Sequence, residues 1–251
     1  MTVAMFTRLA RTLIPAIALV ACGAEAPEEP VVSAAETVEP RPEIYADFEL
    51  TADLSHLSAG QREMIGVLIE ASRIMDDLFW RQAFNDGYGD WLASIEDGDA
   101  RRFAELNYGP WDRLADDAPF IKGFGPKPLG ANFYPPDMSR EEFEAAYLPG
   151  KKGLYSLVRR DNAGELMLVP YHVAYKDELH RVAELLREAA GLADDQPLAT
   201  NLKLWAAARI SDELQTSDLF WMDVRTNEID GVFGPIETDE DRLCGYRAAY
   251  E

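Results

Sequence analysis

A long apolar repeat between Leu57 and Phe84 requires a helix at the centre of the fold. The repeat consists of apolar residues at helical spacing: Met64, Leu68, Ala71, Met75 and Leu78. Ser58 and Gln61 form a capping-box pattern at its start. Further apolar residues widen the stripe beyond one face, namely Ile65, Ile69, Ile74 and Phe79. Because the segment is apolar on more than one side, it is predicted to be buried between other elements.

The rest of the chain predicts an α+β fold that helices dominate. Helical patterns cover 99–106, 177–192 and 198–214, and Ser139 with Glu142 marks another helix start. The apolar runs 154–160 and 165–169 flank a turn sequence, which predicts a small antiparallel hairpin. A short strand is predicted at 229–236, and no doubly wound sheet is expected.

The last segment, 241–251, has Leu243, Tyr246 and Tyr250 at helical spacing but no capping signal at its end. The pattern alone fits either a frayed terminal helix or a helix that is cut short.

The charge balance excludes one class of partner. The 251 residues contain 45 Asp and Glu against 24 Lys and Arg, a formal charge of −21. Such a chain repels phosphate backbones, and its basic residues form no stripe, so nucleic acid is not an expected partner. With only two cysteines, the chain cannot form a disulfide scaffold.

The amino end has the pattern of a lipoprotein signal. Residues 1–21 carry Arg8 and Arg11 before a short apolar run, and the run ends in the lipobox-like Leu19-Val20-Ala21-Cys22. Cys22 is therefore the predicted lipidation site. Residues 22–48 are rich in Ala, Glu and Pro and are predicted to be an acidic tether, with the folded domain at 49–251. We expect a lipid-anchored protein of the bacterial cell envelope, with outer-membrane sorting toward the periplasm as the default.

No complete catalytic motif can be read from the residue types alone. His180 and Glu184 are four residues apart and could hold the edge of a metal site with His172, but such pairs are more commonly surface pairs. The nucleophile elbow G-x-S-x-G is missing. The loop aromatics Trp111, Phe133 and Tyr134 could line a pocket or could pack on the core.

Several strings are more specific, and together they resemble one family. The strings are Ile74-Met75-Asp76-Asp77-Leu78-Phe79-Trp80, Gly109-Pro110-Trp111-Asp112-Arg113, Gly130-Ala131-Asn132-Phe133-Tyr134-Pro135, Val169-Pro170-Tyr171-His172 and Gly234-Pro235-Ile236-Glu237-Thr238. In this order they resemble the bacterial branch of the dipeptidyl-peptidase III family, whose members are zinc peptidases. Some relatives carry a Nudix domain, but no Nudix box occurs here.

The resemblance implies that the chain is the N-terminal, substrate-cleft half of a two-lobed zinc peptidase. The family's H-E-x-x-G-H zinc helix is not in this chain, so the zinc of the full-length family has no recognised ligands here and no catalytic residue is assigned. The resemblance also favours reading 241–251 as a truncated helix.

Two positions match the family's substrate-binding segment. Glu237 matches the glutamate that receives the free amine of the peptide, and Asp239 occupies the position of a tyrosine that donates to the reacting carbonyl. An ionised aspartate cannot donate in that way.

The expected function is thus the cleft portion of a lipid-anchored, zinc-dependent dipeptidyl peptidase acting on short peptides. The alternative is a non-catalytic, extracytoplasmic peptide-binding lipoprotein.

Overall fold

The structure is a computed structural model that describes residues 37–251. The predicted signal segment 1–21, Cys22 and the tether as far as residue 36 lie outside the described residues. Within 37–251, no helix is both long enough and apolar enough to cross a bilayer.

Helices dominate this part of the chain, as the sequence predicted. They are α1 (Ala59–Ala83), α2 (Tyr88–Ser94), α3 (Gly98–Asn107), α4 (Arg140–Ala145), α5 (Tyr171–Ala174), α6 (Lys176–Leu192), α7 (Gln196–Arg209) and α8 (Gln215–Trp221). Two small antiparallel sheets accompany them: β1 (Trp111–Asp112) with β2 (Ala118–Pro119), and β3 (Ser156–Arg160) with β4 (Leu166–Pro170).

The main core lies where α6 packs against both α1 and α7. The predicted stripe of α1 is buried there, and Met64, Ala71 and Leu78 are fully enclosed. The α1 helix begins with the predicted capping box, in which the Ser58 and Gln61 side chains each accept a hydrogen bond from the other's backbone amide. The helix is therefore fixed both by its start signal and by burial of its apolar face.

The predicted hairpin is present and carries the register Val158 opposite Leu168. Its turn is fixed by Asp161, whose carboxylate accepts from the amides of Ala163 and Glu165, and by Gly164 at φ +85°. The amide of Val158 donates to the carbonyl of Phe133 at 2.8 Å, which fixes the preceding loop to the hairpin.

The end of the chain is not the predicted helix. Residues 249–251 are extended and pair with 234–237, and Ala248, Ala249 and Tyr250 are buried. Gly245 has φ +75°, and the Asp241 carboxylate accepts backbone amides that a helix would otherwise use. The apolar spacing that suggested a helix places Tyr250 in the core from an extended segment instead.

Two smaller predictions also differ from the structure. The helix predicted to reach residue 214 ends at Arg209, and α8 follows after a turn at Asp212, which has φ +59°. The predicted strand 229–236 forms only the paired stretch at its end.

The last part of the predicted tether contacts the folded domain. Val38 donates its amide to the carbonyl of Pro119 at 3.0 Å, and the Arg41 guanidinium binds the buried carboxylate of Asp112. Tyr45 packs edge-on against Phe103 within a second, smaller core around α3. This segment is thus bound to the domain well before residue 48.

Candidate substrate-binding site

The segment that carries Glu237 is held by backbone pairing with the end of the chain. Gly234 and Glu251 exchange two hydrogen bonds of 3.0 and 2.8 Å. The amide of Ile236 donates to Ala249, and the amide of Ala249 donates to the carbonyl of Glu237. The backbone groups of this segment are therefore satisfied by pairing, and the Glu237 side chain is exposed.

Three carboxylates lie near one another in this segment, and we call Glu237, Asp239 and Glu251 the acidic patch. All three residues are exposed. Partial burial, together with the negative charges of Glu237 and Asp239, raises the pKa of the Glu251 carboxyl. Because all three side chains are acidic, the local potential is negative and favours a cationic ligand.

A buried ion-pair cluster fixes the residue that follows the patch. Glu240 is buried and binds both Arg113 and Lys127, the latter at 2.8 Å between Nζ and Oε2. Burial alone would raise the pKa of the Glu240 carboxyl, but the charges of Lys127 and Arg113 outweigh it and lower the pKa. The cluster ties the patch to the loop that follows α3.

Asp241 is the second anchor and organises the turn beyond the patch. Its carboxylate accepts hydrogen bonds from the amides of Cys244, Tyr246 and Arg247 at 2.8 to 3.0 Å. It also accepts from the Tyr134 hydroxyl at 2.6 Å. Burial, followed by this bond to Asp241, raises the pKa of Tyr134 far above its usual value. The exposed carboxylates are therefore presented on a rigid frame rather than on a loose loop.

A cavity of about 330 Å³ lies beside the patch and includes Glu251 in its wall. Its other lining residues are Ser72, Asp76, Phe79, Tyr108 and Tyr250. The Tyr108 hydroxyl donates to Asp76 at 2.7 Å, so the polar groups of this wall are ordered. An apolar, aromatic cavity with carboxylates at its edge suits a ligand that has both a cationic end and an apolar body.

The histidines considered for a metal site lie in other environments. His172 Nδ1 lies 2.8 Å from a carboxylate oxygen of Asp212, and His180 is exposed on α6. Glu184 lies 3.4 Å from the Arg181 guanidinium on the same helix. Among residues 37–251, no three His, Cys, Asp or Glu side chains are grouped so that they could hold a metal ion.

The loop aromatics pack inward instead of lining a pocket. Trp111, Phe133 and Tyr134 are all buried, and the Trp111 indole donates to the carbonyl of Gly125 at 2.8 Å. Their role is to hold the Gly- and Pro-rich loop against the two cores.

Sequence reasoning proposed Glu237 and Asp239 as substrate-binding residues and did not consider Glu251. The structure brings all three together, whereas Cys22 lies outside the described residues. Glu251 could have been found only by predicting that the chain end pairs with 234–237, which the helical spacing of that segment concealed.

Comparison with known proteins relates the chain to one enzyme fold. No family model matches the chain. The chain is 29% identical to Nudix hydrolase 3 of Arabidopsis thaliana over 269 aligned positions, which cover 82% of this chain and 35% of that protein.

Two solved structures are similar to this chain in both sequence and fold. The structure of dipeptidyl-peptidase III from Caldithrix abyssi matches 82% of this chain at 37% identity, with a TM-score of 0.77. That of dipeptidyl-peptidase III from Corallococcus sp. strain EGB matches the same share at 32% identity, with a TM-score of 0.74. The chain spans 41% and 40% of those two chains. It therefore corresponds, in sequence and in fold, to part of a bacterial dipeptidyl-peptidase III.

Proposed function

We propose that this chain is the N-terminal, substrate-cleft portion of a dipeptidyl peptidase and receives the amino end of a short peptide at Glu237. The observation that carries the proposal is the exposed Glu237 carboxylate on a backbone-paired segment whose flank is anchored by Glu240 and Asp241. A carboxylate held in this way can form a charge-assisted hydrogen bond with an ammonium group at little entropic cost.

The surroundings of Glu237 favour the same ligand. Asp239 and Glu251 add negative charge, so a positively charged peptide end is attracted and an acylated one is not. The aromatic walls of the adjacent cavity, formed by Phe79, Tyr108 and Tyr250, can accommodate the first apolar side chains of a peptide.

Zinc chemistry is supported by the relatives but not by the residues described here. The full-length family uses zinc, yet the described residues do not form a donor set for the metal, so we assign no chemical step to this chain. Asp239, at the position of the family's tyrosine, can only accept hydrogen bonds when ionised. The acceptor-only side chain at position 239 is the observation that favours the alternative, in which this chain binds peptides without cleaving them.

Peptide binding can be tested by calorimetry on the full chain. The ligands are a tetrapeptide with a free amino end and the same peptide N-acetylated. We expect the free peptide to bind at least tenfold more tightly, because acetylation removes the charge that pairs with Glu237. Equal affinity for the two peptides would overturn the proposal.

Two variants test whether the preference for a free amino end depends on Glu237. Glu237→Gln removes one negative charge at the patch, and Glu165→Gln removes one from the exposed turn of the hairpin. E237Q is expected to abolish the preference for the free amine, whereas E165Q retains it. A similar loss in both variants would indicate a general charge effect rather than a site at Glu237.

Zinc content and hydrolysis of a dipeptidyl-naphthylamide separate the enzyme from the binding protein. Stoichiometric zinc in the 251-residue protein would overturn the binding-only alternative. Absence of both zinc and hydrolysis would overturn the view that this chain is itself an enzyme.

We further propose that Cys22 carries a lipid that anchors the domain in the bacterial cell envelope, at the outer membrane facing the periplasm. The lipobox-like sequence before Cys22 supports this. Mass spectrometry of the mature protein should show a diacylglyceryl-modified amino end, and C22S should remain unprocessed. An unmodified Cys22 in membrane-derived protein would overturn the anchor.

A further inference from the structure

A buried guanidinium lines a second cavity, whose wall includes residues 232–236 next to Glu237. This cavity measures about 270 Å³ and lies between α7, α8 and residues 232–236. Glu237 is not among its lining residues. Arg209, at the end of α7, is only 3% exposed and forms part of its wall.

The hydrogen-bonding capacity of Arg209 is largely unused. Its Nη2 donates to the carbonyl of Phe233, whereas Nε and Nη1 have no hydrogen-bond partner within the described chain. These two nitrogens carry three N–H donors. Arg209 forms no ion pair within 37–251 either, although Asp218 lines the same cavity and both Asp218 and Asp212 act on it electrostatically.

Two other arginines have more acceptors than Arg209. Arg247 is fully buried and donates to the carbonyls of Gly153 and Lys151, although its Nε has no partner within the described chain. Arg159 donates to the carbonyls of Phe133, Val158 and Asn132, so its buried charge is surrounded by acceptors. The Arg209 guanidinium, in contrast, donates to only one carbonyl within the described chain, that of Phe233. A buried cation with so few acceptors is strongly destabilising unless an anion or another acceptor reaches it. Burial lowers the pKa of Arg209, which expresses the same imbalance.

The backbone leaves room for the guanidinium at the cavity wall. Gly234 has φ +140°, and a Cβ at this position would overlap the Arg209 guanidinium. Only glycine therefore permits this close approach. The chain thus keeps a charged group at a place where an apolar side chain would avoid the desolvation penalty.

Apart from Asp218 and the Tyr155 hydroxyl, the remaining walls are apolar, and they reach the surface. Trp205 and Phe233 form the inner part, while Trp221, Val232 and Ile236 are partly exposed at the mouth. Cavities that bind organic ligands combine such walls with one or two fixed polar groups. The volume is near the lower end of the usual range, which indicates a small molecule.

We propose that this cavity binds a small organic carboxylate, with its carboxylate group on Arg209 and its apolar body between Trp205 and Trp221. Arg209 carries one positive charge and Asp218 in the same wall offsets part of it, so a ligand with a single negative charge is favoured over a more highly charged one. A phosphate dianion would place excess negative charge beside Asp218, so the carboxylate is favoured. The site does not depend on peptide binding at Glu237, and the two can fail separately.

Calorimetry on the full chain tests the site with three probes: 3-phenylpropionate, its neutral amide 3-phenylpropanamide, and inorganic phosphate. We expect 3-phenylpropionate to bind at least tenfold more tightly than either of the other two. Equal binding of the acid and the amide would overturn the role of Arg209. Tighter binding of phosphate would overturn the carboxylate assignment, and no measurable binding of 3-phenylpropionate at millimolar concentration would overturn the site.

A matched pair of variants at the cavity mouth tests the site even if the Arg209 variant does not fold. Arg209→Met should abolish binding, but it also removes the bond to Phe233 and could unfold the protein. Val232 is 55% exposed, so Val232→Glu and Val232→Gln should both fold. V232E is expected to weaken 3-phenylpropionate binding at least fivefold and V232Q less than twofold. Equal affinities in the two variants would place the ligand elsewhere and overturn the proposal.

Discussion

Replacing Asp241 by alanine should remove much of the stability of the domain. Its buried carboxylate accepts from three backbone amides and from the Tyr134 hydroxyl. A hydrogen bond to a charged group contributes about 1.5 to 3 kcal/mol, and each buried donor left without a partner carries a penalty of similar size. Because water can enter part of the space left by the carboxylate, we expect a loss of about 4 to 6 kcal/mol rather than the full sum.

That loss is large beside the 5 to 15 kcal/mol, in rough terms, that stabilise a typical domain. Urea unfolding followed by circular dichroism measures it directly. With a slope of about 2 to 3 kcal/mol per molar urea, D241A should lower the midpoint by about 2 M. D241N should lower it less, since an amide oxygen still accepts some of the bonds.

Asp239 provides the matched control, because it is the same residue type two positions earlier but is exposed. D239A should change stability by less than about 0.5 kcal/mol. If D241A and D239A shifted the midpoint equally, the Asp241 turn could not be the anchor of this segment. A double-mutant cycle of D241N with Y134F would then show no coupling, whereas we expect about 1 kcal/mol.

Three further outcomes follow from contacts around the same segment. The pKa of Glu240 is lower in the fold than its usual 4.5. Its ion pairs therefore stabilise the protein above about pH 4.5, and this stability is lost as the pH falls through the folded pKa. In E240Q, acid unfolding followed by fluorescence should lack this pH-dependent loss of stability. Gln82 is fully buried, and its side-chain oxygen accepts a hydrogen bond from the amide of Tyr250 at 2.8 Å. Q82L should therefore lower the free energy of unfolding in urea by about 1 to 3 kcal/mol. An unchanged midpoint would argue that the chain end does not pack against Gln82. G234A forces a side chain against Arg209 at a left-handed φ and should lower the melting temperature, while G98A, at a position with open space and an ordinary φ, should leave it nearly unchanged.

The sequence predicted the elements whose local signals agree with their burial. The capping box and apolar stripe of α1, the apolar face of α6, and the Asp161–Gly164 turn of the hairpin each act within a few residues. These signals do not depend on distant parts of the chain, so periodicity and turn chemistry were sufficient to place them.

The chain end was predicted wrongly because distant contacts determine its conformation. Leu243, Tyr246 and Tyr250 have helical spacing, but the Asp241 carboxylate and the pairing with 234–237 hold the backbone in another form. Nothing local in residues 241–251 reveals that partner. The same is true of the candidate site, where Glu237 was found through its family motif and Glu251 was not.

The cavity lined by Arg209 could not be predicted from the sequence for a different reason. Arg209 ends a helix and has the sequence context of an ordinary surface cation near a helix C-terminus. Only the approach of Gly234 and Phe233 from residues 24 or more positions later buries it. A single sequence contains no signal for such an encounter.

Residues 38–45 bind to the rest of the domain, and this contact determines where a recombinant fragment should begin. A fragment that starts at Glu49, the boundary suggested by composition, would remove Tyr45 from Phe103 and would leave the fully buried Asp112 carboxylate without Arg41. One that starts at Thr37 retains both contacts and the bond from Val38 to Pro119. The longer fragment should be the one that expresses in soluble form and crystallises, although its first dozen residues have the composition of a linker.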